Sequence, residues 1–404
     1  MLQMSSRDRI IEAINHRKTD ILPIDFGGMR STGISAIAYN NLKKYLGIQG
    51  APVKVYDIFQ QLAEPELDVV DRLGGDVVQA HRLAPSWGIR IDKWKPGNLK
   101  DGSECVFPKE YNPVVNQNGD YEIRKSGIVV AKMPYDGYYF DQIIHPCEKV
   151  ESEDDIDKIS VSEISDEELV FIQAEAKHLF ETTDKAVLLC FGGNILEAGQ
   201  LNWGYENFFT KMALNPDLVH YWLDKLTNAY LRDLEKILSA AGKYIHIIQF
   251  GDDLGTQESL QISPDMYREM IKPYQARQYQ YVRNHYPDIK VFFHSCGAIF
   301  DLIPDLIDAG VEILNPVQIS AKGMDPIRLK KEFGKYLTFW GGGANMQHTV
   351  STGNIESIRK EVRELIDIFS PEGGYVFNQV HNIQPNVDPE KIMAIYDTAL
   401  EFRR

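Results

Sequence analysis

Residues Lys290 to Pro316 carry a His-x-Cys-Gly sequence, His294, Cys296 and Gly297, directly after the apolar run Val291-Phe292-Phe293. An imidazole nitrogen and a thiolate that leave one strand end together can face the same cation, and the glycine behind them permits a sharp turn. That is half of a zinc site; a satisfied His/Cys pair in a buried strand is the competing reading of the same spacing. Asp252-Asp253 is a second concentration of chemistry, following the apolar run His246 to Phe250. This pair can supply a metal ligand beside a general acid or base, or a loop anchor beside a solvated charge. Gly341-Gly342-Gly343 lacks the Lys-Ser/Thr ending of a phosphate loop and fits instead a close backbone approach.

The elements that must position these residues follow from periodicity. Pro23 to Phe26, Val77-Val78, Ala186 to Phe191, His246 to Phe250, Val291 to Phe293, Val311 to Leu314, Leu337 to Trp340 and Tyr375 to Phe377 read as strands separated by helical segments. Asp57 to Leu73 reads as helical with a break at Glu64-Pro65, and Asn215-Pro216 opens a long helix ending near Gly242. Eight parallel-type strands in alternation with helices predict an α/β fold, a closed (β/α)₈ TIM barrel spanning residues 1–404 as one enlarged domain. Residues 86–146 differ in texture: alternating runs separated by Pro96-Gly97, Asp101-Gly102 and Asn118-Gly119 predict an antiparallel β insertion. In a barrel the residues that follow strands gather at one rim. Arg30, Glu197, Asp252, Asp253, Gln257, His294, Cys296, Asn315, Gln318 and His381 are expected there, a donor set that suits a first-row divalent metal. Arg30, Gln257, Asn315 and Trp340, with Tyr139 from the aromatic stretch Tyr135 to Phe140 of the insertion, are the candidates to bind substrate. The same aromatics would serve equally to pack the insertion onto the barrel.

Composition narrows the partners. A formal charge of −15 with no long basic run argues against nucleic acid and against a substrate with many carboxylates. No stretch has the apolar length of a membrane span, and the opening segment reads as an amphipathic helix capped by Ser5 or Ser6 rather than as a signal peptide. Four cysteines in 404 residues make no disulfide framework, which fits a reducing cytoplasm.

The stretch HSCGAIFDLIPDLIDAGVEILNPVQ, then GMDPIRLKKEFGKYLTFWGG and GGYVFNQVHNIQPNVDPEKIMAIYDTA, resembles the uroporphyrinogen decarboxylase superfamily, as do the early DFGGMRSTGISAIAYNNLKKYLGI and the central GDDLG. Within it the His-x-Cys-Gly motif is similar to that of the zinc- and corrinoid-dependent methyltransferases. The resemblance implies a (β/α)₈ barrel, zinc held by His294, Cys296 and a later residue, and a partner protein that carries the corrinoid (cobalamin). The later ligand in those enzymes is typically a cysteine after the final strand; here His381 stands at that place, in Val380-His381-Asn382. The arginine-rich stretch of true uroporphyrinogen decarboxylases corresponds here to FGGMRST, where Arg30 is the one arginine. The expectation is therefore a zinc-dependent methyltransferase that moves a methyl group from a small methylated substrate, best a methoxylated aromatic, to the cobalt of a corrinoid protein. Asp252 or Asp253 would handle the proton. A metal-independent lyase of the decarboxylase type and a non-catalytic protein that binds corrinoid or a partner are the alternatives.

Overall fold

The computed structural model describes residues 4–48, 50–161 and 163–403. Seven parallel strands are hydrogen-bonded neighbours in chain order: Val77–Ala80, Ala186–Gly192, Ile247–Gly251, Lys290–His294, Ile313–Asn315, Thr338–Trp340 and Tyr375–Val376. The eighth position is held by the segment around Ile24, which makes one isolated parallel bridge to Phe377. Asp25 N donates to Phe377 O at 2.8 Å, and on the other flank Asp76 N donates to Ile24 O at 2.7 Å. The ring is thus a curled sheet that is not fully laddered, where the sequence predicts a closed one. Pro23 has no N–H to add to the ladder, and Gly27, at φ +71°, turns the chain away at once.

Alternation along the strands builds two cores. Val77, Ala186, Leu188, Ile247, Phe292, Ile313, Trp340 and Val376 fill the barrel interior, together with Ile10, Ala13 and Ile14 of the Ser6–Ile14 helix. That helix is capped by Ser5, whose side chain accepts from Asp8 N, and Arg7 N is tied to Asp184 O at 2.6 Å, so it closes the end of the barrel where the strands begin. The intervening residues, among them Val187, Leu189, Ile248, Phe250, Val291, Phe293 and Leu314, face outward onto the helices. Pro216–Ala241 is the longest of these, with Pro216 in its first turn as the sequence predicts.

The segment expected to be helical from Asp57 to Leu73 folds differently. Val53–Asp57 and Leu62–Ala63 are strands, and only Leu67–Arg72 is helical. Val53 and Val55 are β-branched and buried on one face, and Pro65 bars a helix through this stretch. Val53–Asp57 pairs in parallel with Glu104–Pro108, so the β-rich insertion is anchored in the first block of the chain rather than standing alone. Trp94–Asn98 lies antiparallel on Glu104–Pro108. A separate antiparallel sheet joins Val114–Val115, Tyr121–Lys125, Ile128–Met133 and Asp141–Gln142. No helix among the described residues is long and apolar enough to cross a membrane.

Candidate metal centre

His294 ends its strand between two neighbours, paired with Gly251 on one side and Asn315 on the other. The chain then turns through Ser295 and Cys296 to Gly297, whose φ is +93°. A side chain at Gly297 would bring its Cβ within 2.3 to 2.7 Å of the Gly255 backbone, so the two loops meet glycine to glycine. Asp253 Oδ1 accepts from Cys296 N at 2.7 Å, and Ser295 Oγ accepts from Leu254 N at 3.0 Å. These bonds fix the direction in which Cys296 points.

Three donor atoms converge above the strand ends: those of His294, Cys296 and His381 lie within 4.8 Å of one another. Cys296 Sγ is 3.6 Å from His294 Nε2, close to the roughly 3.5 Å that two ligands of a tetrahedral zinc would show. The other ring nitrogen, His294 Nδ1, is 2.6 Å from Asn315 Oδ1. Asn315 Nδ2 donates to Trp340 O at 2.8 Å, so its oxygen is the acceptor, His294 Nδ1 carries the proton, and Nε2 is left with its lone pair toward the cluster. His381 comes from the loop after the last strand with φ +62°, a left-handed conformation uncommon for a residue with a side chain. Its carbonyl accepts from Gln379 Nε2 at 3.0 Å, and Ile383 N donates to Gly33 O at 2.9 Å. Burial and the nearby His294 push the His381 imidazole down to about 4, which keeps it neutral and able to donate a lone pair. The Cys296 thiol is pushed up by burial and by Asp253 and Glu197. A divalent cation among these groups would reverse that penalty, and two imidazoles, a thiol and an adjacent carboxylate are a donor set that zinc accepts.

Around the cluster the carboxylates divide. Asp253 is 3.8 Å from His294 Nε2 through the same Oδ1 that holds Cys296 N. Asp252, expected to share the chemistry, is fully buried: its oxygens accept from the backbone N–H groups of Ile195, Leu196 and Glu197 and from Gln275 Nε2, all between 2.8 and 3.1 Å. It caps the Leu196–Trp203 helix and is not among the residues that line the cavity. Glu197 accepts from Asn194 Nδ2 at 2.6 Å and Asp253 N at 3.2 Å, and burial with the Asp253 and Asp252 charges pushes it up to about 8.

A cavity of about 510 Å³ opens over Cys296 and His381, lined by Tyr139, Gln257, Gln318, Met346, Gln347, Val350, Val380, Asn382, Gln384, Asn386, Val387 and Lys391 among others. Six of its lining side chains are amides. Tyr139 reaches it from the insertion and is gripped there: its hydroxyl donates to Asn382 Oδ1 at 3.0 Å and accepts from Gln384 Nε2 at 2.8 Å. Phe140 beside it is fully buried against the rings of Trp87 and Tyr111, while Tyr135 and Tyr138 are exposed, so Phe140 packs the insertion and Tyr139 lines the cavity. Three expected substrate contacts lie elsewhere. Trp340 is fully buried in the barrel interior, its Nε1 donating to Asp25 Oδ2 at 2.8 Å. Asn315 is buried behind His294. Arg30 is held by Asp57, Nε to Oδ2 at 2.5 Å, and lies over the Phe59 ring. Gln318, expected at the rim, is indeed there. Gln347, Asn382 and Gln384 carry no motif, and only the approach of the loops brings them in.

Residues 142–402 match the protein-family model described as uroporphyrinogen decarboxylase (URO-D). The uroporphyrinogen decarboxylase of Chlorobium limicola is 27% identical over 264 residues, 62% of this chain and 70% of that protein. That of Pelodictyon phaeoclathratiforme is 26% identical over 266 residues, again 62% and 70%. Among solved structures, a methyltransferase from Methanosarcina mazei superposes with a TM-score of 0.62 at 15% identity, over 99% of this chain and 100% of that one, a likeness of fold.

Proposed function

The chain belongs to the uroporphyrinogen decarboxylase family, and on that premise we propose that it is a zinc-dependent methyltransferase that passes a methyl group from a methoxylated aromatic to the cobalt of a corrinoid carried by a separate protein. The observation that carries this reading is the convergence of His294, Cys296 and His381 beneath one cavity. Bound there, zinc would act as a Lewis acid toward the ether oxygen, and a set of two imidazoles and one thiolate leaves it harder, hence better disposed to oxygen, than a set with two thiolates. The chain's own residues do the rest. Tyr139, Met346, Val350 and Val380 present apolar surface to an aromatic ring. Asn315 holds the His294 tautomer, and Asp253 is the group placed to take the proton from the Cys296 thiol when zinc binds and, recharged from solvent, to give one to a departing phenolate oxygen in each turnover. Asp252 positions Glu197 and the helix behind them.

Decarboxylation of a porphyrinogen is the second reading, and the names of the curated relatives favour it. A substrate with many carboxylates needs cations, however, and among the residues that line the cavity only Lys391 supplies one, while Arg30 is spent on Asp57. Metal analysis of the purified protein separates the two readings. About one zinc per chain is expected, lost in Cys296→Ala and weakened in His381→Ala. Mixing the zinc-loaded protein with a reduced corrinoid protein and an aryl methyl ether should then give the absorbance of methyl-cobalt. Carbon dioxide release from a porphyrinogen by metal-free protein, with no zinc taken up, would overturn the methyltransferase in favour of the lyase. Tight association with a corrinoid protein without any methyl transfer would reduce the chain to a binding protein.

A further inference from the structure

The Gln347 side chain is exposed, yet its Oε1 is the meeting point of three donors: Gln257 Nε2 at 3.1 Å, Gln318 Nε2 at 3.0 Å and Ser320 Oγ at 2.6 Å. The donors come from the loops after two different strands, Ile247–Gly251 and Ile313–Asn315. The direction of Gln318 is fixed, because its Oε1 accepts from Gly297 N at 2.7 Å and only its NH₂ remains for Gln347. Gln318 is buried, and Gly297 is the residue after Cys296, so this donor trio is built onto the turn that carries the proposed metal ligands. A carbonyl oxygen has two lone pairs, so three donors crowd it; a carboxylate, with two oxygens and about four acceptor sites, would spread them. Gln257, Gln318 and Gln347 all line the cavity, as does Lys391, the one cation among its lining residues.

We infer that Gln257, Gln318 and Ser320 form a carboxylate-binding subsite at the mouth of the cavity, which the Gln347 amide occupies as a built-in stand-in until a substrate carrying a single carboxylate displaces it. The inference rests on the proposed reading for placing an aromatic substrate in this cavity, and it narrows that substrate to a methoxylated aromatic acid. The displacement needs little movement. The Gln347 backbone is tied down, its carbonyl accepting from Ser351 Oγ at 2.9 Å, so rotation of the exposed side chain alone vacates the site.

The test is binding of 4-methoxybenzoate, 4-methoxybenzamide and methoxybenzene to the protein as purified, followed by titration calorimetry. Gln347→Ala removes the stand-in and should tighten 4-methoxybenzoate about three- to tenfold; Ser320→Ala removes a donor and should weaken it by a similar factor. Both positions are exposed, so both variants should fold, which circular dichroism checks. Methoxybenzene should respond to neither. Equal responses by the amide and the acid would overturn the carboxylate assignment, and unchanged or weaker binding of the acid by Gln347→Ala, or none to any form, would overturn the subsite. Zinc content, measured separately on the same samples, keeps the readings apart: zinc bound with no subsite leaves methyl transfer standing, and the subsite without zinc removes the metal reading alone.

Discussion

Asn315 does not line the cavity over the cluster, yet it decides which nitrogen of His294 faces Cys296 and His381, since its own NH₂ is committed to Trp340 O and its oxygen must accept from His294 Nδ1. Asn315→Leu should therefore lower zinc affinity about 10- to 100-fold in a chelator competition, and Asn315→Asp, which keeps the acceptor, should restore most of it. Glu197 yields a pH signature. Its carboxyl is raised from 4.5 to about 8 by burial and by Asp253 and Asp252, so in the metal-free protein the folded state holds a proton that the unfolded state releases. That contribution is full below about pH 4.5 and is lost as pH rises toward 8, beyond which it stays lost. Urea unfolding from pH 4 to 9 should show the wild type losing a few kcal/mol relative to Glu197→Gln over that window, and parallel profiles would show that Glu197 is not buried in the protonated form. His294 and Cys296 were legible because two residues of sequence are also one strand end. His381 was legible only through its register against a resembling motif. Gln347, Ser320 and Gln384 were not, because common amides and hydroxyls become a site only when separate loops meet.

At the scale of elements, the turn after Lys290–His294 depends on backbone touching backbone. Gly297→Ala would place a Cβ against Gly255 at φ +93°, so a loss on the order of 2 kcal/mol or more is expected in urea unfolding. Zinc content should fall with it, since Cys296 is adjacent; a variant with wild-type stability and zinc would show that the two loops can part without cost. The strand pattern of the barrel was readable because short buried runs bounded by turns leave few alternatives. Two misjudgements share one cause. Trp340, at the end of a strand, was a candidate to bind substrate, but it falls on the inward face with Phe292 and Ile313. Asp57 to Leu73 has spacing that suits a helix, but its Leu62–Ala63 is claimed by antiparallel pairing with Val53–Asp57, a partner that sequence periodicity cannot reveal.

For the molecule as a whole, the weak place in the ring is the segment around Ile24, and side chains make up for the missing ladder. Asp76 accepts from Ile24 N at 3.0 Å, from Arg9 Nη1 at 2.6 Å and from Arg403, which ties the first helix and the end of the chain to the gap. Asp76 and Arg9 are nearly inaccessible, so Asp76→Asn leaves buried guanidinium groups short of a counter-charge and should cost roughly 3 to 5 kcal/mol, read as a lower urea midpoint. A change within about 0.5 kcal/mol would assign ring closure to packing alone. The single bridge between Ile24 and Phe377 has a further consequence, one of timing. During synthesis His294 and Cys296 leave the ribosome together, but His381 follows the strand that must find Ile24, a segment made long before. Two donors therefore wait for a third that arrives only as the ring shuts, so metal capture would be among the last acts of maturation and would report that the barrel has closed.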